Sequence, residues 1–171
     1  MGEDRAGLDL VASGTASAGP DRAQPRRTFY ADPVAWLITE AVDAALYAAG
    51  PAVRDAGPAV GVLSASEHCT RHTMRQVHAG SRDGRVSPLR FAGANPGSIA
   101  GVVCIVFGFR GPSLALSMPP GPARAVAGQV ALSWLDSGGC RYVVLNEHEI
   151  TPDGVHVARC DVVCRRGTGP C

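Results

Sequence analysis

Phe107-Gly-Phe-Arg-Gly-Pro-Ser-Leu-Ala-Leu-Ser-Met-Pro-Pro-Gly121 is the stretch on which the reading of this chain turns. Just before it, Ile99 to Phe107 is apolar throughout. Periodicity cannot separate a buried strand from a buried helix there, although composition favours a strand. After the Gly111-Pro112 break, Leu114 to Leu116 reads as a short strand. Pro119, Pro120 and Pro122 then remove three backbone donors and fix φ. The entry to the next element is therefore stiff, and it gives up amides that an anion site would use. A helix is predicted from Pro122, with Ala123, Val126, Ala127, Val130, Ala131, Trp134 and Leu135 in one stripe and Gly138-Gly139 at its end.

Working outward, Leu8 to Val11 reads as a first buried strand. Gly19 to Arg27, with Pro20 and Pro25, reads as a loop. Asp32-Pro33 is a good helix start, and Val34, Leu37, Ile38, Ala41, Val42, Ala45, Leu46 and Ala49 follow at helical spacing. Gly50-Pro51 ends that helix. Val60 to Leu63 is a second buried strand, Ser66 to Ala79 a weaker helix candidate, and Ser87 to Pro96 a loop. On the other side, Tyr142 to Leu145 reads as a strand and Thr151 to Gly154 as a turn. Val155 to Arg165 alternates as a strand, with Cys160 and Cys164 on one face. Strands that alternate with helices, followed by two strands in succession, predict an α/β sheet with an antiparallel last strand.

The chain has 171 residues, 46% of them hydrophobic, which suits one domain with a real core. The ordered core is expected over residues 5–166, with 167–171 a loose tail. A net charge of +1 argues against a nucleic-acid or membrane-surface protein. All 16 basic residues are Arg, which removes any Schiff-base or lysine-base mechanism. The N-terminus lacks a basic region followed by an apolar core, and no apolar run reaches spanning length, so a cytoplasmic protein is expected. None of the six cysteines forms a Cys-x-x-Cys pair, and mostly reduced structural thiols are expected.

Taken together, these elements resemble the N-terminal half of the thiolase-like fold, as in β-ketoacyl synthases and type II polyketide chain-length factors. Gly108-Phe-Arg-Gly-Pro-Ser113 carries the resemblance best. Leu10 to Gly14, Asp32 to Ala49, Val60 to Ser64, Ser87 to Phe91 with Asn95-Pro96, Leu132 to Leu145 and Asp153 to Arg165 support it in order. It implies a five-stranded mixed sheet with helices on both faces, and it makes residues 99–107 a helix. In register, Ser117, Met118, Pro119 and Pro120 take the places of the Asp-Thr-Ala-Cys run, so Pro120 stands where the resemblance puts the nucleophile. The two histidines that the family uses belong to the half that the match does not cover.

Two further clusters carry reactive side chains. Glu67-His68-Cys69 with His72 and His78 is the denser. His68 and His72 would share a face if that segment is helical. A Cys69–His nucleophile and base, a His68–His72 metal pair, or a polar element at a subunit contact would each fit. Asn146-Glu147-His148-Glu149 follows a strand, where sites gather in open α/β sheets. A Glu147–His148 pair could do acid–base work, or the segment could be a solvated loop. No cofactor and no metal are expected.

The expected function is that of an accessory ketosynthase-like protein of a polyketide or fatty-acyl pathway. It would form a homodimer, or a heterodimer with a ketosynthase, through the edge strand that the resemblance places after Gly-Pro-Ser, Leu114 to Ser117. An acyl carrier protein is the other expected partner, facing Arg71, Arg75, Arg82 and Arg85. The alternative is a small enzyme that processes a carrier- or CoA-bound thioester with Cys69, His68, His72, Glu147 and His148.

Overall fold

In the computed structural model, which describes residues 7–19 and 31–167, five strands form one mixed sheet. Strands β1 (Leu8–Ala18), β2 (Val60–Ser66), β3 (Ser113–Leu116), β4 (Tyr142–Ile150) and β5 (His156–Arg165) lie in the order β1-β5-β4-β2-β3. β4, β2 and β3 run parallel, and β5 is antiparallel to both its neighbours. The helices are α1 (Pro33–Ala49), α2 (Pro51–Asp55), α3 (Arg71–Arg82), α4 (Pro88–Gly93), α5 (Ser98–Phe107) and α6 (Pro120–Asp136). A 3₁₀ turn covers Gly57–Ala59. The five-stranded mixed sheet predicted from the sequence is observed, with helices on both faces and an antiparallel last strand.

The α1 helix forms as its sequence dictates. The Asp32 carboxylate accepts from the Val34 amide at 3.0 Å, and Pro33 needs no donor at the first turn. Its apolar face, Ile38, Val42 and Leu46 among it, packs with Ile99 and Val103 of α5 onto Val62, Val144 and Val162 of the sheet. Gly14 permits the close approach of β1 to α1: a Cβ there would lie 2.3 Å from the Ala41 carbonyl oxygen. The opposite face is smaller. Ala127, Ala131 and Leu135 of α6 cover Leu63, Val143, Leu145 and Val163.

The Gly-Pro-Ser motif is an architectural joint. The Gly111 amide donates to the Val60 carbonyl at 3.1 Å, and the Val62 amide donates to the Pro112 carbonyl at 2.9 Å. Ser113 then pairs with Val62 as the first residue of β3. The three residues thus guide the chain from α5 into register on β2. At the other edge, β1 carries a register irregularity between Leu10 and Ala12.

Several elements differ from expectation. β1 extends to Ala18, β2 to Ser66 and β4 to Ile150, because polar residues inside them broke the apolar pattern. The expected loop at Ser87 to Pro96 holds α4, whose start is capped by Ser87 accepting from the Arg90 amide. The last parallel crossover helix begins at Pro120 instead of Pro122, and helix α2 follows directly on Gly50. Most of the predicted 19–27 loop and of the 167–171 tail lies outside the described residues. Among the described residues no helix is long and apolar enough to cross a membrane.

Candidate functional site

The two parallel crossovers around β2 and β3 leave the sheet on opposite faces. The connection after β2 leads through α5 on the α1 side, and the connection after β3 enters α6 on the other side. Such a reversal opens a crevice outside the carboxyl ends of the two strands. Here the crevice is bounded by the Ser66–Thr70 turn and by the Ser117–Pro120 elbow. One contact spans it: Cys69 Sγ lies 3.3 Å from Ser117 Oγ.

The turn is held by its first serine. Ser66 Oγ accepts from the amides of His68 at 3.2 Å and Cys69 at 2.9 Å. Cys69 has φ +38°, the only non-glycine with positive φ among the described residues. Its thiol donates to the Ser66 carbonyl at 3.0 Å, so the Ser117 hydroxyl is left to donate to the sulfur. Cys69 is 5% exposed, and burial pushes its thiol above the usual cysteine range, against a smaller lowering by the Ser117 hydrogen bond. It is a protonated thiol with its proton directed at a carbonyl and no base in contact.

Ser66 also meets His148 across the sheet, Oγ to Nδ1 at 2.8 Å, and His148 Nε2 lies 3.0 Å from His156 Nδ1. The two imidazoles meet edge to edge through that contact, with centroids 5.1 Å apart. His148 is 1% exposed, and burial, then the nearby His156 and His68, lower its pKa to about 3. His156 is lowered for the same first reason. Both rings are therefore neutral at physiological pH.

The sequence candidates separate in space. Cys69 and His148 are brought together through Ser66. His68 sits in the turn before α3, so the expected shared helix face with His72 does not form. Its Nδ1 is buried without a hydrogen-bond partner, whereas His72 is exposed on α3 and contacts Gln76 at 2.7 Å. Glu147 and His148 do not form an acid–base pair, because neighbours on a strand point to opposite faces. Glu147 turns to the α6 side and takes a two-pronged hydrogen bond from Arg124, both contacts at 2.8 Å. Among the described residues no three side chains are placed to share a metal ion.

Ser66, Ser117 and His156 were missed as site residues. The spacing of Ser64 and Ser66 in an otherwise apolar strand was the available signal. Alternation puts both on the face that Asn146 and His148 share, and Asn146 Nδ2 donates to Ser64 Oγ at 3.1 Å. At the elbow, Pro120 is buried as the first residue of α6. Of the four residues that open α6, Pro120 and Pro122 have no amide, and the Ala123 amide donates to the Pro119 carbonyl at 3.1 Å.

The family model described as "Beta-ketoacyl synthase, N-terminal domain" matches residues 6–151. The chain belongs to the β-ketoacyl synthase family. Among curated proteins none matches it. Solved structures of ketosynthases share the fold at low identity. A ketosynthase in complex with its chain length factor from Xenorhabdus doucetiae is 16% identical with a TM-score of 0.65, over 95% of this chain and 80% of that one. A type II acyl-carrier protein in complex with its ketosynthase bound to the hexaketide gives 12% and 0.66, over 94% and 63%. A β-ketoacyl synthase from Burkholderia phymatum STM815 gives 14% and 0.69, over 93% and 59%. The chain thus spans less than two thirds of the latter two.

Proposed function

We infer that this chain is an accessory ketosynthase-like subunit of a polyketide or fatty-acyl pathway that does not itself condense acyl chains. Pro120 carries the reading. In the register of Gly111-Pro112-Ser113 it stands where the family's nucleophilic cysteine is expected. Condensation needs a thiolate to hold the acyl group and donors for the developing oxyanion. A pyrrolidine ring offers no thiolate, and the prolines around it leave the helix entry short of amides.

Two surfaces support association. The α5 helix is apolar on every side, yet Ile105 is 83% and Val106 46% exposed. A helix of that kind belongs in an interior. It lies against β3, which pairs with β2 on one side only. A second copy or a ketosynthase partner would cover both. On α3, α4 and the segment between them, Arg71, Arg75, Arg82, Arg85 and Arg90 are exposed, as are Met74, Leu89 and Phe91. An acidic helix with an apolar stripe, such as an acyl carrier protein presents, complements that mixture.

The test is to mix the purified chain with its pathway's ketosynthase and acyl carrier protein, run size exclusion, and take intact masses after adding an acyl thioester. A stable complex containing an unmodified chain is expected. A chain that stays alone defeats the reading.

One observation favours a second reading, a small thioester-processing enzyme. Cys69 holds a strained backbone beside Ser117 in the crevice, and strain gathers at functional sites. An acyl adduct on Cys69, with turnover lost in Cys69→Ala, would establish it in place of the first.

A further inference from the structure

Hydrogen-bond arithmetic fixes where every proton sits in the Ser66–His148–His156 chain. A serine hydroxyl has one proton and two lone pairs. Both acceptor positions of Ser66 are taken, by the amides of His68 and Cys69. Its own proton therefore goes to His148 Nδ1. A neutral imidazole that accepts at Nδ1 carries its proton on Nε2, and His148 Nε2 faces His156 Nδ1. His156 thus accepts at Nδ1 and holds its own proton on Nε2. Two backbone amides of the β2–α3 turn dictate the tautomers of two histidines on β4 and β5.

This chain cannot accept a further proton without breaking. A proton added to His156 must go on Nδ1, which turns the contact with His148 into N–H against N–H. Passing that proton inward would make His148 donate at Nδ1 to a serine whose lone pairs are full. The surroundings do not compensate. The groups facing His156 are His148 on β4, His68 in the turn, His72 on α3 and the Asp32 carboxylate at the start of α1. Three of these four are imidazoles, which offer the added proton no negative charge. Asp32 is already engaged by the amides of Val34 at 3.0 Å and Thr73 at 2.9 Å.

We propose that Ser66, His148 and His156 form an acid-sensitive latch that holds the β2–α3 turn, and with it the basic helix α3, against the β4–β5 hairpin. When His156 takes up a proton the His148–His156 bond is lost, and the His156 ring moves away from His148. His148 then has no acceptor for its Nε2 proton inside the protein, and the Ser66 hydroxyl loses its fixed partner. The turn held by Ser66 is the strained one, with Cys69 at φ +38°. Release lets that backbone relax and opens the crevice over the Cys69 thiol.

Cys69 is a built-in reporter. Its labelling by 4,4′-dithiodipyridine, which reacts with thiols in acid, is followed by peptide mass between pH 7.5 and 5. Cys140, buried on the opposite side of the sheet, is the reference within the same molecule. The ratio of Cys69 to Cys140 labelling rises toward acid, with a limiting slope of about tenfold per pH unit for release by one proton. In His156→Gln the side-chain oxygen still accepts from His148 but takes up no proton, so the ratio stays flat. An equal response in both proteins, or a flat ratio in the natural one, overturns the proposal. Nitrogen-15 imidazole spectra at pH 7.5 test it without any substitution. They show His148 and His156 both protonated at Nε2 and bare at Nδ1; the opposite tautomer at His148 rules the latch out.

Discussion

The amide of Gly111 donates to the carbonyl of Val60 at 3.1 Å, and a Cβ on Gly111 would lie 2.5 Å from that same oxygen. The glycine of the Gly-Pro-Ser motif is thus needed for contact between two backbones. Gly111→Ala must push β3 away from β2, at a cost of about 1–3 kcal/mol. Gly121→Ala meets nothing within 4 Å and serves as the control. Urea unfolding of both variants is expected to show the loss only at residue 111.

Restoring a thiol at the elbow is not expected to restore condensation. In Pro120→Cys the new sulfur would sit at a helix start flanked by Pro119 and Pro122, where the Ala123 amide is already used. A thioester intermediate there lacks paired donors for its oxyanion. Carbon dioxide release from a malonyl thioester, measured for Pro120→Cys and the natural chain, is expected at background in both.

His148 makes the fold acid-labile. Its ring stays neutral in the native state down to about 3, against an ordinary value of 6.5, chiefly because it is buried. Between those values the unfolded chain binds the proton and the native chain does not. Stability therefore rises with pH through that window and is lost on acidification, with a limiting slope of about 1.4 kcal/mol per pH unit for one proton. Denaturant midpoints from pH 7.5 to 4 check the slope, and His148→Gln is expected to reduce it, leaving the part that His156 contributes.

Tyr142 supplies a test of the opposite sign. Its ring is fully buried in the α1-side core, and its hydroxyl has no hydrogen-bond partner. An unpartnered buried hydroxyl costs about 1–3 kcal/mol of desolvation. Tyr142→Phe keeps the ring and removes that cost, so its thermal midpoint is expected to equal or exceed that of the natural protein.

These particulars show why some elements were legible in the sequence. The α1 helix announced itself at both ends, with Asp32-Pro33 and Gly50-Pro51 bracketing one apolar stripe. Residues 99–107 carried no periodicity at all, and only the family resemblance identified the helix. The strands were read too short because their carboxyl ends are polar. Ser64, Ser66, Asn146 and His148 are all buried, and each has a polar side-chain partner across the sheet. Pairing between strands 82 residues apart is invisible to a local pattern. The same blindness hid His156 and made Glu147 and His148 look like a pair.

The two edges of the sheet are unlike. β3 is a regular four-residue strand beside an exposed apolar helix, while β1 carries its register irregularity between Leu10 and Ala12. Irregular edges pair poorly with another chain. Were two sheets to join at β3, the receptive edge of each would be used up, so such an assembly would end at a pair instead of growing into an open-ended ribbon.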